Sequence, residues 1–289
     1  MNCYLCGSEK HTQIADRVRD RDDVSVLRCD DCGLVFLSSF DHITKDFYEE
    51  SKIHKGKTSL DLADWIKTSQ ADDERRFKTF KSFIKGKSLL DFGAGNCNFL
   101  FKVDKLAGRT VGIEPEARIR TQLSKSLERD SIEIYENISE LNSARFDIIT
   151  MFHVIEHLPN PVSIIKQLKS LLTKNGRIII ETPNSNDALI SLYKCKAFMD
   201  STFWSCHLFL YNDMTLGEVC KQSGLSHHNI GQVQRYPLTN HLYWLARGKS
   251  NGQEQWSFLH SDELNDLYIK QLKSLNSCDT LLGVFFNGN

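Results

Sequence analysis

The chain has 289 residues, 40% hydrophobic and 25% charged, enough to bury one large α/β core and carry a small appendage. Its 36 basic and 37 acidic side chains nearly cancel, so overall charge gives no case for nucleic acid or an anionic membrane as partner. No apolar run approaches the roughly 18 residues of a membrane span, and residues 1–6 have neither a basic nor an apolar export segment, so a cytoplasmic protein is expected.

Residues 1–45 carry Cys3-x2-Cys6 and Cys29-x2-Cys32. Each pair can form a knuckle, and two knuckles make a tetrahedral thiolate site for structural Zn2+. Gly7 and Gly33, one residue after each pair, suit the turn beneath the metal. A redox CxxC normally opens a helix in a thioredoxin-like unit, and no such unit surrounds either pair. Residues 1–50 hold 11 acidic and six basic side chains, the wrong sign for phosphate contacts. A shielding or substrate-positioning lobe is expected, with no nucleic acid bound. The other five cysteines bring the total to nine, an odd number that predicts reduced thiols.

Residues 46–86 read as a helical cover, with Phe77, Phe80 and Ile84 on one face. Tyr48 and His54 lie there and could close over a cleft. From Lys87 short apolar strands alternate with amphipathic helices. Strands are predicted at 88–92, 109–114, 131–135, 146–152 and 176–181, with helices at 96–106, 116–129 and from Asn160-Pro161, where Asn caps and Pro takes the first turn. Such alternation predicts a mostly parallel sheet covered on both faces. After Pro183 the pattern loosens: a helix at 214–223, a strand at 225–235, helices across 238–278 and a closing strand at 279–286.

Asp91-Phe92-Gly93-Ala94-Gly95-Asn96-Cys97-Asn98 sits at a strand-to-helix turn. Gly93 and Gly95 permit a tight turn and let a ligand approach the backbone, whose N–H groups can receive a carboxylate. Asp91 can accept from an ammonium. Asn98 occupies the third glycine position of a nicotinamide fingerprint, which argues against a dinucleotide. Glu114, ending the second strand 19 residues after Gly95, is placed to bind two ribose hydroxyls.

These motifs, with GIEP, FDIITMFHVIEHLPNP and GRIIIETPN in order across about 87–236, resemble the class I S-adenosylmethionine-dependent methyltransferases. The resemblance implies a Rossmann-like seven-stranded sheet with a final antiparallel strand, and a helical insertion at about 238–278. It implies Asp91, Gly93 and Gly95 near the methionine moiety, Glu114 on the ribose, Asn137 at the adenine and Phe152 beside the sulfonium, with Asn98 also counted among the cofactor-binding residues. A cysteine-zinc lobe before such a core (lobe 1–45, cover 46–86, methyltransferase 87–289) resembles the bacterial sugar methyltransferases. The expected acceptor is therefore a small sugar or nucleotide-linked sugar in surface-glycan or natural-product biosynthesis, methylated on O or N. The alternatives are a zinc-ribbon RNA methyltransferase and a non-catalytic scaffold. The oligomeric state is not legible.

A hydroxyl acceptor calls for a general base. His153-x-x-Glu156-His157 follows the fourth strand, with 153, 156 and 157 on one helical face. His207 lies beyond the fifth strand at the cleft edge. His157, His207 and His153 are the candidates, with Tyr211, His241 and Tyr243 expected to pack in the core or a lid.

Overall fold

Leu89 and Leu90, neighbours that point to opposite faces of one strand, are both fully buried, so the sheet they belong to is covered on both sides. In the computed structural model, which describes residues 2–44, 47, 62–126 and 131–287, the chain begins with three short strands, β1 (His11–Ala15), β2 (Val26–Cys29) and β3 (Val35–Leu37). Helix α1 (Leu62–Ile84) follows. Then come β4 (Ser88–Phe92), α2 (Asn98–Val103), β5 (Arg109–Ile113), α3 (Ala117–Ser126), β6 (Ile132–Tyr135), β7 (Phe146–Phe152), α4 (Pro161–Ser170) and β8 (Leu172–Pro183). The chain continues through α5 (Ala188–Ser191), α6 (Lys196–Thr202), β9 (Phe209–Leu210), α7 (Asp213–Gln222) and β10 (Leu225–Val233). Helices α8 (Leu238–Arg247), α9 (Gly252–Gln255) and α10 (Asp262–Ser274) precede the last strand, β11 (Thr280–Asn287).

Seven strands form the main sheet in the order β10-β11-β8-β7-β4-β5-β6. Its pairs are parallel except those of β11, which runs antiparallel between β8 and β10. This is the predicted Rossmann-like sheet, with α8–α10 as the predicted insertion before the final strand. Leu89, Ile148 and Ile179 face α1, α2 and α3, packing with Phe80, Ile84, Phe99, Leu100, Ile119 and Leu123. Leu90, Ile149, Ile178 and Ile180 face the other way, toward Ile165, Leu168, Leu216 and Val219 of α4 and α7. Each such side chain contributes about 1.5–3 kcal/mol on burial.

Four strands form a second sheet, β1-β2-β3-β9, in antiparallel pairs. Its last strand comes from far downstream: Val35 pairs with Leu210 and Phe36 with Phe209. The cysteine-bearing segment thus shares one core with the main sheet.

Several boundaries differ from the sequence reading. Helix α2 starts late because Cys97 adopts a left-handed backbone (φ 57°) at its N-cap. Asn160 makes no side-chain capping bond, although Pro161 does take the first helical turn. Strand β8 is longer than expected, starting at Leu172; a β-carbon at Gly176 would stand 2.9 Å from the Phe146 carbonyl oxygen, so glycine is what fits where β8 passes β7. Tyr48 and His54 lie outside the described residues. Among the described residues, no helix is long and apolar enough to cross a membrane.

Candidate functional site

The carboxyl ends of β4, β5, β7 and β8 converge, as parallel strands require of a ligand edge. After β4 the chain turns through Gly93 (φ 77°) and Gly95 (φ 52°). A β-carbon at Gly93 would stand 2.5 Å from Val154 Cγ2, and one at Gly95 would stand 3.1 Å from the Trp65 ring. The N–H groups of Gly93 and Ala94 both donate to the Ile113 carbonyl, which staples the loop to β5.

Asp91 is buried, and its Oδ1 accepts from Thr150 Oγ1 at 2.6 Å. Burial pushes its carboxyl up to about 7, against that one bond and the charge of Arg76. Glu114 is buried as well. It accepts the N–H of Gly95 at 2.8 Å and that of Glu116 at 2.9 Å, while burial pushes its carboxyl upward.

Asn98 turns away from the loop's open side: its Nδ2 donates to Asp73 on α1 at 2.7 Å. Asn96 Nδ2 donates to Ser69 Oγ on the same helix at 3.0 Å. Helix α1 therefore roofs the glycine loop, bonded to it by two asparagines. Asn137 is exposed and caps the 3₁₀ turn at Ile138–Leu141, its Oδ1 accepting the Ser139 N–H at 3.1 Å. Phe152 closes β7 with the Arg76 guanidinium 4.5 Å above its ring and Phe99 at its edge.

Glu181, fully buried near the end of β8, is the charge at the centre of the roof's attachment. It accepts from Arg75 Nη1 and Nη2 at 3.0 and 2.9 Å and from Arg76 Nε and Nη2 at 3.1 and 2.6 Å. Burial would raise its pKa, but His153 and the two guanidiniums hold it well below the ordinary range. Arg75 also bonds Asp72, which pairs with Arg235 beyond β10.

His153 is drawn into this network and away from His157. Its backbone is left-handed (φ 56°), and its ring sits between Glu156 (Nδ1 to Oε1, 3.4 Å) and Glu181 (Nε2 to Oε1, 3.3 Å). Both contacts are at ion-pair range without hydrogen-bond alignment. Burial and Arg235 lower the basicity of His153, yet the two carboxylates win and raise it. Glu156 goes the other way: His153, with His157, overcomes burial and lowers it to about 2. The predicted helical face is instead a 3₁₀ turn at Ile155–His157.

The structure brings His157 and His207 together, with ring centroids 5.1 Å apart. His157 Nδ1 lies 2.7 Å from the Cys206 carbonyl oxygen. A carbonyl only accepts, so the His157 Nδ1 carries a proton. Burial, aided by His157, lowers His207 to about 3, so its ring stays neutral. Tyr211 and His241 are buried, as expected of packing residues. Sequence reasoning missed Glu181, Arg75, Arg76 and Thr150. Only Glu181 left a signal, as a lone charge after Ile178-Ile179-Ile180.

At the N-terminus the four sulfurs of Cys3, Cys6, Cys29 and Cys32 lie within 4.8 Å of one another. Cys3 and Cys32 Sγ are 3.5 Å apart, as are Cys6 and Cys29 Sγ. The two knuckles match: Gly7 donates to the Cys3 carbonyl and Gly33 to the Cys29 carbonyl, each glycine with positive φ.

A sequence profile described as a methyltransferase domain matches residues 68–229. The chain is 24% identical to a ubiquinone biosynthesis O-methyltransferase of Acinetobacter baylyi, over 56% of this chain and 73% of that one. It is 30% identical to a tRNA U34 carboxymethyltransferase of Campylobacter lari, over 36% of this chain and 38% of that one. The plantazolicin methyltransferase BpumL, solved with S-adenosylhomocysteine, shares the fold at a TM-score of 0.53 and 13% identity, over 82% of this chain and 92% of that one.

These findings correct two expectations. The sugar-methyltransferase resemblance gains no support, since the relatives named are a ubiquinone-pathway and a tRNA enzyme. The exclusion of nucleic acid, and with it a partner confined to small sugars, is overturned by the tRNA-directed relative. The physical reason is that charge was summed along a segment and not over a surface. A cleft of about 1060 Å³ joins Arg17 and Arg28 of the lobe to Lys194 and Lys196, beside Asp16, Asp30 and Asp200. A net count of the first 50 residues does not describe that face.

Proposed function

Since the chain belongs to the methyltransferase-domain family and is an S-adenosylmethionine-dependent methyltransferase, we propose that its acceptor atom is a hydroxyl oxygen held beside His157 and His207. The observation that carries this is the likeness to an O-methyltransferase over 73% of that relative's length. Its support in the geometry is that the His157 and His207 rings lie 5.1 Å apart, centroid to centroid, two imidazoles of the kind that can assist the loss of a hydroxyl proton. Asp91 then receives the cofactor's ammonium, the Gly93–Gly95 turn leaves room for its methionine moiety where β-carbons are absent, and Glu114 takes its ribose hydroxyls. Asn137 lies at the adenine rim and Phe152 beside the sulfonium.

The four cysteines are proposed to hold a structural Zn2+. A tetrahedral thiolate site with bonds near 2.3 Å has sulfurs about 3.8 Å apart, and the observed spacing closes on that with small movements. Four soft donors on two matching knuckles suit zinc over a hard cation.

The test is transfer from methyl-labelled S-adenosylmethionine to phenolic hydroxyl acceptors, nucleotide sugars and tRNA in parallel. Labelled methyl ether on a phenolic acceptor, reduced in His207→Ala, supports the reading. Label that fragmentation places on nitrogen or carbon alone, in tRNA or in any other acceptor, overturns it.

A further inference from the structure

We propose that the outward face of α10 is the centre of a two-fold interface through which two copies of this chain pair, α10 lying antiparallel against α10. Of the twelve exposed large hydrophobic side chains among the described residues, eight lie between Tyr236 and Leu275, the stretch that carries α8, α9 and α10. Apolar exposure concentrated in one region marks a contact surface.

One face of α10 is already in use. Asn265 Oδ1 accepts the Leu238 N–H at 3.0 Å, Tyr268 Oη lies 2.8 Å from His241 Nδ1, and Leu272 packs with Ala188 and Cys278. These three residues recur at spacings of three and four and so fix how the helix is turned. Glu263, Leu267 and Lys270, also four and three apart, form the opposite face, with Leu264 beside them. Leu267 is 65% exposed and Leu264 51%. Glu263 and Lys270 are exposed and form no ion pair among the described residues. Just ahead of the helix Phe258 is 77% exposed.

The order of charge along this face identifies the occupant. Glu263 precedes Lys270 by two helical turns, about 10.5 Å along the axis, and the two leucines lie between them. A face with acid at one end, base at the other and leucine in the middle is complementary to itself when run antiparallel. A two-fold axis passing between residues 266 and 267 sets each Glu263 opposite Lys270 of the second copy and encloses the leucines. Charges that flank an apolar seam choose both the partner and its direction in helix pairs, and a two-fold contact closes on itself. The parallel arrangement would set Glu263 against Glu263 and Lys270 against Lys270. A lipid surface fits less well: helices that lie on anionic membranes carry mainly Lys and Arg beside the apolar face, whereas α10 opens with Asp262 and Glu263 and carries Asp266 in its second turn. None of these residues belongs to the candidate site, so the interface stands whatever the acceptor is.

Sedimentation velocity of the purified full chain over a dilution series tests it. The wild type should approach twice the chain mass of 33.2 kDa as concentration rises. Leu267→Asp, Glu263→Lys and Lys270→Glu should each weaken pairing by roughly 10- to 100-fold, because charge then enters the seam or like charges face each other across it. The double variant Glu263→Lys/Lys270→Glu should pair again, since the swap restores acid opposite base only when the helices run antiparallel. Circular dichroism melts confirm that the variants fold; if Leu267→Asp does not, the charge pair decides alone. A wild type that stays at 33.2 kDa throughout, a dimer indifferent to Leu267→Asp, or a double variant as weak as its two parents overturns the interface. So does a monomer that binds phosphatidylglycerol vesicles and loses them on Leu267→Asp, which would give the face to lipid.

Discussion

The Glu114 carboxylate accepts the backbone N–H of Gly95 at 2.8 Å, so the acidic end of β5 grips the glycine loop that follows β4. One side chain thereby shapes the loop, and in the proposed reading it also accepts from the cofactor's ribose. Glu114→Ala should weaken S-adenosylmethionine binding by roughly 10- to 100-fold, the loss of charge-assisted hydrogen bonds of about 1.5–3 kcal/mol. Isothermal titration calorimetry measures it, and unchanged affinity would remove Glu114 from the ribose.

Asp91 predicts a pH dependence. Its carboxyl rises from an ordinary 3.8 to about 7 by burial. Between those values the folded protein holds a proton that the unfolded chain has lost, so stability of the cofactor-free protein falls as pH rises through the window. The cofactor's ammonium favours the carboxylate, so affinity should increase as pH rises through about 7, with a proton released on binding. Calorimetry in buffers of different ionisation heat reads that proton. Asp91→Asn should abolish its release and flatten the affinity profile.

Glu181 stands opposite Arg75 and Arg76 with no exposure of its own. Glu181→Gln should destabilise the fold by about 3–5 kcal/mol, because two guanidiniums lose their buried counter-charge. The folded carboxyl lies well below its ordinary 4.5, so its contribution is complete above that pH and is lost as pH falls through the folded value. Urea unfolding at pH 7 and at pH 4 checks both points: the variant's deficit should shrink at the lower pH.

Much of the main sheet was legible because its strands are buried on both faces and read as continuous apolar runs, as in Phe146–Phe152 and Ile178-Ile179-Ile180. The stretch between Pro183 and α7 was not, although the helix, strand, helices and closing strand expected beyond it are all present. Elements such as Ala188–Ser191 and Phe209–Leu210 are too short for any periodicity to emerge. The glycine loop announced itself by composition, but the partner of Asn98 did not, since Asp73 lies 25 residues upstream on another element. His157 and His207 were each visible as polar residues beyond a strand. Their meeting around Cys206 depends on a turn that Asp20 holds from across the lobe, which no local pattern encodes.

Metal removal should act on the lobe. Cys29→Ser, or a strong chelator, should release the ion of the four-cysteine cluster and lower the melting temperature by roughly 5–10 °C, equivalent to about 3 kcal/mol in a chain of this size. Calorimetric melting with and without added zinc measures it, and a melt indifferent to both would refute a structural metal there.

The pairing of β3 with β9 also has a consequence in time. Roughly 170 residues separate Leu37 from Phe209. At about 5–20 residues per second, a ribosome needs on the order of ten seconds or more to deliver the second strand after the first has emerged. During that interval β3 is an apolar edge, Val35-Phe36-Leu37, with its outer backbone groups unsatisfied. The nascent chain is therefore most open to misassociation before residue 210 is made, and slowing elongation between the two strands should lower the yield of native protein more than slowing it afterwards.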